Sequence, residues 1–336
     1  MKALIEKIEK KKARVGVIGL GYVGLPYAVE FARKGYSVLG VDVDARRVKA
    51  VRSGRSYVLD IPSEDLASLV RQGRLTPATT YREIGGCDVV NICVPTPLNK
   101  TRDPDMSFIV SACQEIRKKI RKGQLIILSS TTYPGTTSEL VLPMLNERAQ
   151  EKGLTVGRDF FLAFSPERID PGNKKFTVSQ VPKVVGGITQ QCLKVAMAFY
   201  RQIVGQVIPV SSTKSAEMVK LLENTFRGIN IGLVNEVAIM CDKLGINVWE
   251  VIEAARSKPY GFMPFYPGPG LGGHCIPIDP NYLSWKLRSL DYRARFIELA
   301  EDVNRGMPHF VVEKLERAMK DRLKKGFLGS RILILG

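Results

Sequence analysis

Histidine is almost missing from this chain: His274 and His309 are the only two among 336 residues. The six cysteines (Cys87, Cys93, Cys113, Cys192, Cys241 and Cys275) are scattered without metal-ligand spacing. With neither a histidine set nor a cysteine cluster, no metal site is expected, and a chain of this length needs no disulfide scaffold. Long apolar runs are missing too. None approaches the ~20 residues required to span a bilayer. Residues 1–12 alternate Lys, Glu and Ile or Leu, without the apolar core of a secretory signal. The expectation is a cytoplasmic protein with reduced thiols and no membrane partner.

Negative charge is the scarcer sign, with 33 acidic residues against 50 basic ones and a net charge of +17. Basic runs interleaved with stacking aromatics are absent, so nucleic acid is not an expected partner. A positive field of this size favours polyanionic small molecules instead, although most individual charges serve only to solvate the surface. The 45% apolar and 25% charged content is that of an ordinary globular protein, and the length suits two domains.

What is present is a strand–helix–strand opening. Residues 14–18 read as a strand, 22–34 as a helix and 37–42 as a second strand, the start of a right-handed βαβ unit. Further strands are expected at 88–93, 124–129, 160–164 and 183–185. Strands alternating with helices imply an α/β fold with a mostly parallel sheet, Rossmann-like, over residues 1–210. No proline occurs from 211 to 257, where apolar residues recur at helical spacing. An all-helical central domain with a long connecting helix is therefore expected over 211–326. The amphipathic stretch 293–325 is interrupted at Gly306-Met-Pro308. Residues 331–336 read as a lone apolar strand, expected to open a further domain at 327–336.

The first βα turn carries Gly19-x-Gly21-x-x-Gly24. In that pattern Gly19 makes the tight turn, Gly21 admits a pyrophosphate and Gly24 lets helix and sheet pack closely, with the phosphates on the helix N-terminus. Asp42 ends the second strand 18 residues after Gly24, where an acid accepts hydrogen bonds from a ribose 2′-OH and repels a 2′-phosphate. NAD is thus expected over NADP, although Arg46 or Arg47 could receive a phosphate. A second glycine-rich segment, Gly268-Pro-Gly-Leu-Gly-Gly-His-Cys-Ile-Pro-Ile-Asp-Pro280, places Cys275 four residues before Asp279. Glycines there permit close approach, and a thiol so placed suits a nucleophile. His274 adjoins it, but neighbours in sequence usually point apart, so no Cys–His dyad is expected.

Gly19-Leu-Gly-Tyr-Val-Gly-Leu-Pro26, Phe164-Ser-Pro-Glu-Arg-Ile-Asp-Pro-Gly-Asn173 and the Cys275 loop occur in this order. Together they resemble the nucleotide-sugar 6-dehydrogenases of the UDP-glucose/GDP-mannose dehydrogenase family over essentially the whole chain. The segment from Ser165 to Asn173 looks most like the branch that oxidises UDP-N-acetylglucosamine; UDP-glucose, UDP-N-acetylmannosamine and GDP-mannose remain alternatives. The resemblance implies that Gly19, Gly21, Tyr22, Val23, Gly24, Asp42, Arg47, Thr96 and Thr131 surround NAD. It implies that Cys275 forms a thiohemiacetal and then a thioester, and that Lys220 and Asn224, on one face of a helix, stabilise the oxyanion. It also implies that Asp279 and Thr131 orient a water, and that Glu167 activates the water that hydrolyses the thioester.

Each of these residues has a plainer reading beside that one. Lys220 is a solvated lysine, Asp279 a helix N-cap before Pro280, Glu167 an ion pair with Arg168, and Thr131 a turn hydroxyl with Thr132 adjacent. The aromatic segment 260–268 is expected either in the sugar pocket or packed on the core. The family further implies a homodimer through the long helix and a third domain, of which 327–336 would be the first strand. On that expectation a fragment that binds NAD without catalysis is the alternative function.

Overall fold

The computed structural model describes residues 1–101, 103–168, 177–273 and 275–335. The chain divides into two compact units, Met1–Leu221 and Leu222–Gly336. In the first, α1 (Lys2–Glu9) precedes β1 (Arg14–Ile18), α2 (Gly24–Arg33), β2 (Ser37–Val41), α3 (Ala45–Arg52), α4 (Ser63–Arg71) and β3 (Leu75–Ala78). The chain continues through β4 (Val89–Ile92), α5 (Ser107–Lys119), β5 (Gln124–Leu128), α6 (Leu142–Glu151) and β6 (Phe160–Phe164). It then forms β7 (Lys183–Gly187), α7 (Gln190–Tyr200), β8 (Val207–Val210) and the start of α8 (Thr213–Leu244).

The eight strands lie in the order β3-β2-β1-β4-β5-β6-β7-β8. From β3 to β6 every pairing is parallel. The chain moves outward from β1 to β3 and then returns to lay β4 on the other side of β1. That reversal is the topological switch point, where the strand ends open a crevice. Strands β4, β5 and β6 are buried along their whole length, as expected for a sheet covered on both faces. Alternation divides them: Leu125 and Ile127 of β5 join one core layer, Ile126 and Leu128 the other. The first layer is aromatic, with Phe31, Tyr36 and Tyr200 around Phe199 at ring separations of 5.1–5.7 Å. Each such side chain, fully buried, contributes about 1.5–3 kcal/mol.

Sequence reasoning misses β3 and β8, and proline is the reason. Both are outermost strands, and each carries one (Pro77, Pro209). A proline lacks the N–H that a ladder requires and is tolerated at an edge, but it obscures the strand pattern. The direction of β7 is also absent from the sequence signal: it runs antiparallel to β6.

The second unit comprises the rest of α8 with α9 (Val248–Arg256), α10 (Asp279–Arg288) and α11 (Arg295–Ala318), and no strand among the described residues. The interruption expected at Gly306-Met-Pro308 does not occur, for α11 runs straight through Pro308. Proline there removes the bond to the carbonyl four residues back. That carbonyl, of Asn304, lies against Gly270, where an added Cβ would stand 3.2 Å away. The strand expected at 331–336 forms no ladder either. Residues 331–335 are coil and exposed, since a single strand has no neighbour to bond; Gly336 lies outside the described residues.

Candidate active site

In the sheet unit the glycine turn follows β1 at the switch point. Gly19 has φ +89°, and a Cβ at Gly24 would meet the Gly19 carbonyl oxygen at 1.7 Å. Both positions therefore need glycine for the turn's own packing. Gly21 differs, because a Cβ there would find only Arg47 Nη1, at 3.8 Å. Its lack of a side chain serves no internal contact and leaves room for a ligand, which is the fit a bound pyrophosphate requires. Tyr22 is exposed, Val23 precedes the first residue of α2, and the positive end of that helix opens at the same turn.

Asp42, buried at the end of β2, accepts hydrogen bonds from the Leu20 N–H (2.7 Å) and the Asp44 N–H (2.8 Å). Arg47 Nη1 stands 3.4 Å from the same carboxylate. The two backbone bonds fix the acid and leave acceptor capacity for ribose hydroxyls. Arg46 is turned away: its guanidinium grips Asp44 at 3.0 and 3.1 Å, and those bonds pull the Asp44 carboxyl down to about 2. The arginine pair is thereby sorted, with Arg47 at the crevice and the exposed Arg46 on Asp44. Thr96 follows β4 and is half-buried.

Thr131 follows β5 and is half-buried, while the neighbouring Thr132 hydroxyl is buried and bonds to nothing among the described residues. The turn beyond them is clamped by Glu217 of α8. Its fully buried carboxylate accepts from the Gly135 N–H (2.6 Å), the Thr137 N–H (2.8 Å) and the Thr137 hydroxyl (2.7 Å). Burial raises its pKa, and these three donors oppose the rise. Glu167 follows β6 and is contacted by Lys183 Nζ at 3.3 Å. The Arg168 backbone N–H donates to the Glu167 carboxylate (2.8 Å), and the Arg168 guanidinium donates to the Pro182 carbonyl (2.8 Å). Residues 169–173 of that motif lie outside the described residues. Lys220 is buried, not solvated.

In the helical unit Cys275 is exposed, in contrast to the other five cysteines, and none of the six is joined in a disulfide. Its carbonyl accepts from the Ile278 (3.2 Å) and Asp279 (2.8 Å) N–H groups, closing the turn into α10. Asp279 is the first residue of that helix, not its N-cap. Its buried carboxylate instead accepts a 2.5 Å hydrogen bond from Asn224 Nδ2. Asn224 follows Lys220 by one turn of the same helix, so the two project in the same direction. His274 lies outside the described residues.

The glycine loop is anchored by two residues that sequence reasoning overlooks. Asn235 Oδ1 accepts from the Gly268 N–H (2.9 Å), while Asn235 Nδ2 donates to Asn304 Oδ1 (2.8 Å). Asparagine is a poor helix former, so one inside each of the expected helical stretches was the available signal; their burial is seen only in the fold. The aromatic segment packs on its own unit: Phe262, Met263 and Phe265 line an apolar cavity of about 600 Å³ with α8 and α9, and Tyr266 stacks on Trp249. Among the described residues no group of side chains is suited to a metal ion, and no helix is long and apolar enough to cross a membrane.

A doubly wound sheet with a glycine turn and a ribose acid at its switch point defines a dinucleotide-binding enzyme unit. Residues 13–204 match the NAD-binding domain of the UDP-glucose/GDP-mannose dehydrogenase family, and 214–306 match its central domain. A UDP-N-acetyl-D-glucosamine 6-dehydrogenase of Pseudomonas aeruginosa is 39% identical over 97% of this chain and 75% of its own length. A UDP-N-acetyl-D-mannosamine dehydrogenase of Yersinia pestis is 36% identical over 92% of this chain and 73% of its own. The solved UDP-D-ManNAc dehydrogenase from Pyrococcus horikoshii superposes with TM-score 0.83 at 36% identity, covering 91% of this chain and 72% of that one. The chain belongs to the UDP-glucose/GDP-mannose dehydrogenase family, as an NAD-dependent nucleotide-sugar dehydrogenase.

Proposed function

We propose that this chain oxidises the C6 alcohol of a UDP-linked N-acetylhexosamine to the acid, with UDP-N-acetyl-D-glucosamine as the favoured substrate. The observation that carries the reading is Cys275: an exposed thiol on a glycine-rich turn, next to a helix whose first carboxylate is held by Asn224. Bound NAD supplies the hydride acceptor, two molecules being reduced per sugar. Asp279 and Thr131 orient the water that takes the alcohol proton as the first hydride leaves C6. The Cys275 thiolate adds to the resulting aldehyde, and the alkoxide formed is stabilised by Lys220 and Asn224. Loss of the second hydride from this thiohemiacetal gives a thioester. Water, deprotonated by Glu167, attacks the thioester carbonyl and expels the Cys275 thiolate, releasing the carboxylic acid.

UDP-N-acetyl-D-mannosamine is the second reading, favoured by the relatives named for that sugar. Comparing kcat/KM on the two sugars decides between them. A ratio at least tenfold in favour of the mannosamine would replace the first substrate with the second. A cytoplasmic homodimer is part of the proposal, supported by Leu222, Phe226, Leu233, Met240 and Leu244 exposed along α8. Light scattering behind size exclusion should give twice the chain mass of 37.3 kDa; a monomer at micromolar concentration would remove this part.

A further inference from the structure

Among the described residues Lys183 is the one lysine within a strand, and no motif announces its burial. Because β7 runs antiparallel to β6, with Phe164 opposite Gly186, the first residue of β7 lies at the edge where β6 ends. A lysine is thereby delivered to the ligand edge of the sheet. Its side chain is 5% exposed. Nζ donates to the Tyr27 hydroxyl, to the Pro166 carbonyl (2.7 Å) and to Glu167 Oε2 (3.3 Å), and it lies over the Tyr27 and Tyr200 rings at 4.6 and 5.6 Å. These contacts fasten the segment after β6 to α2, the helix that opens at the glycine turn.

We propose that Lys183 is a positioning residue for Glu167, holding its carboxylate ionised and in place for the water that cleaves the Cys275 thioester. The proposal rests on the role given to Glu167 above. A donor on Glu167 Oε2 favours the charged form and restricts the carboxylate to one orientation. The groups facing this pair are Tyr27 of α2, Tyr200 of α7, Lys220 of α8, and Cys93 and Arg168 in the loops after β4 and β6. Burial, with the charge of Lys220 adding to it, pushes the Lys183 amine well below its ordinary pKa. A lysine left there without acceptors would be costly, so its bonding to Pro166 and Glu167 is a specific arrangement.

The test is Lys183→Met in the full chain with NAD and UDP-N-acetyl-D-glucosamine, beside Glu167→Gln, after both variants are shown to melt cooperatively and to bind NADH. Expected for Lys183→Met is a normal burst of NADH followed by turnover slowed about 100-fold, with the sugar acyl adduct on Cys275 visible by intact mass. The acid limb of its kcat profile should move to higher pH, because a carboxylate deprived of its donor holds its proton more tightly. A merely structural role would not move that limb. Adduct accumulation in Glu167→Gln but not in Lys183→Met, with the acid limb unmoved, overturns the proposal alone. No adduct in Glu167→Gln overturns the hydrolytic role of Glu167 and the proposal with it. If Lys183→Met does not fold, Lys183→Leu, which likewise removes the donor, is read by the same outcomes.

Discussion

The two edges of the sheet handle acidic residues in opposite ways. At the amino edge, Asp88 precedes β4 and is closed on every side: it accepts from Lys7 (3.1 Å), the Arg14 N–H (3.1 Å) and Arg121 (3.1 Å). Asp159, ahead of β6, is likewise held by Arg158, Lys122 and the Thr155 N–H. At the carboxyl edge Asp42 is fixed by backbone, with Arg47 at 3.4 Å, beside a glycine that packs against nothing close. One edge spends its polar groups on the protein itself. The other keeps acceptors, the positive end of a helix and open space for something else, as expected of strand ends at a switch point. Changes at the amino edge should therefore register in stability, and those at the carboxyl edge in binding and catalysis.

The largest departure from that division should come from Gly24→Ala, which belongs to the ligand edge but has no room for a Cβ. Overpacking against the Gly19 carbonyl should cost about 3 kcal/mol in urea unfolding and remove NADH binding as well. A stable, NADH-binding variant would contradict the packing role of Gly24. Asp88→Asn should come next, losing about 1–2 kcal/mol of stability with kcat unchanged once folded. A fall in kcat without a fall in stability would break the comparison. Gly21→Ala should then sharpen it: unfolding within about 0.5 kcal/mol of wild type, but NADH affinity weaker by roughly tenfold, which is about 1.4 kcal/mol.

The smallest effect concerns pH. Burial alone would raise the Asp88 carboxyl, but the Arg14 N–H, Arg121 and Lys7 outweigh it and hold the pKa below the usual range. A depressed folded-state pKa contributes stability that is present above the unfolded value, about 4, and is lost as pH falls through the folded value. Wild-type Tm should therefore drop below about pH 4, more steeply than that of Asp88→Asn. Parallel curves would assign the acid sensitivity to other carboxylates.

The same division governs what can be read in the sequence. The strands β1, β2, β4, β5, β6 and β7 are legible because a sheet buried on both faces demands runs of Val, Ile, Leu and Phe, and the glycine turn marks where the first of them ends. Strands β3 and β8 are hidden by prolines that only an edge tolerates, and the course of α11 by a proline whose freed carbonyl lies against Gly270. The catalytic candidates are legible as motifs, but their supports are not. Glu217, Lys183, Asn235 and Asn304 are polar residues of kinds usually found at the surface, and only the folded arrangement shows them buried and bonded. Asp279 is a reminder of the same limit: followed by proline it reads as a cap, while in the structure it opens the helix and faces Asn224.

Thiols repeat the lesson. Burial raises the Cys87 thiol to about 11 and the Cys113 thiol to about 12, while Cys275 is exposed. A cysteine is a nucleophile by placement, and the placement of Cys275 is the centre of the proposed chemistry. The most direct test is the amount of NADH formed per UDP-N-acetyl-D-glucosamine consumed, measured for the wild type and for Cys275→Ser. The covalent route predicts two NADH per sugar from the wild type and a loss on the order of 10⁴-fold or more from the variant. One NADH per sugar, or a serine variant that still completes both oxidations, would contradict it.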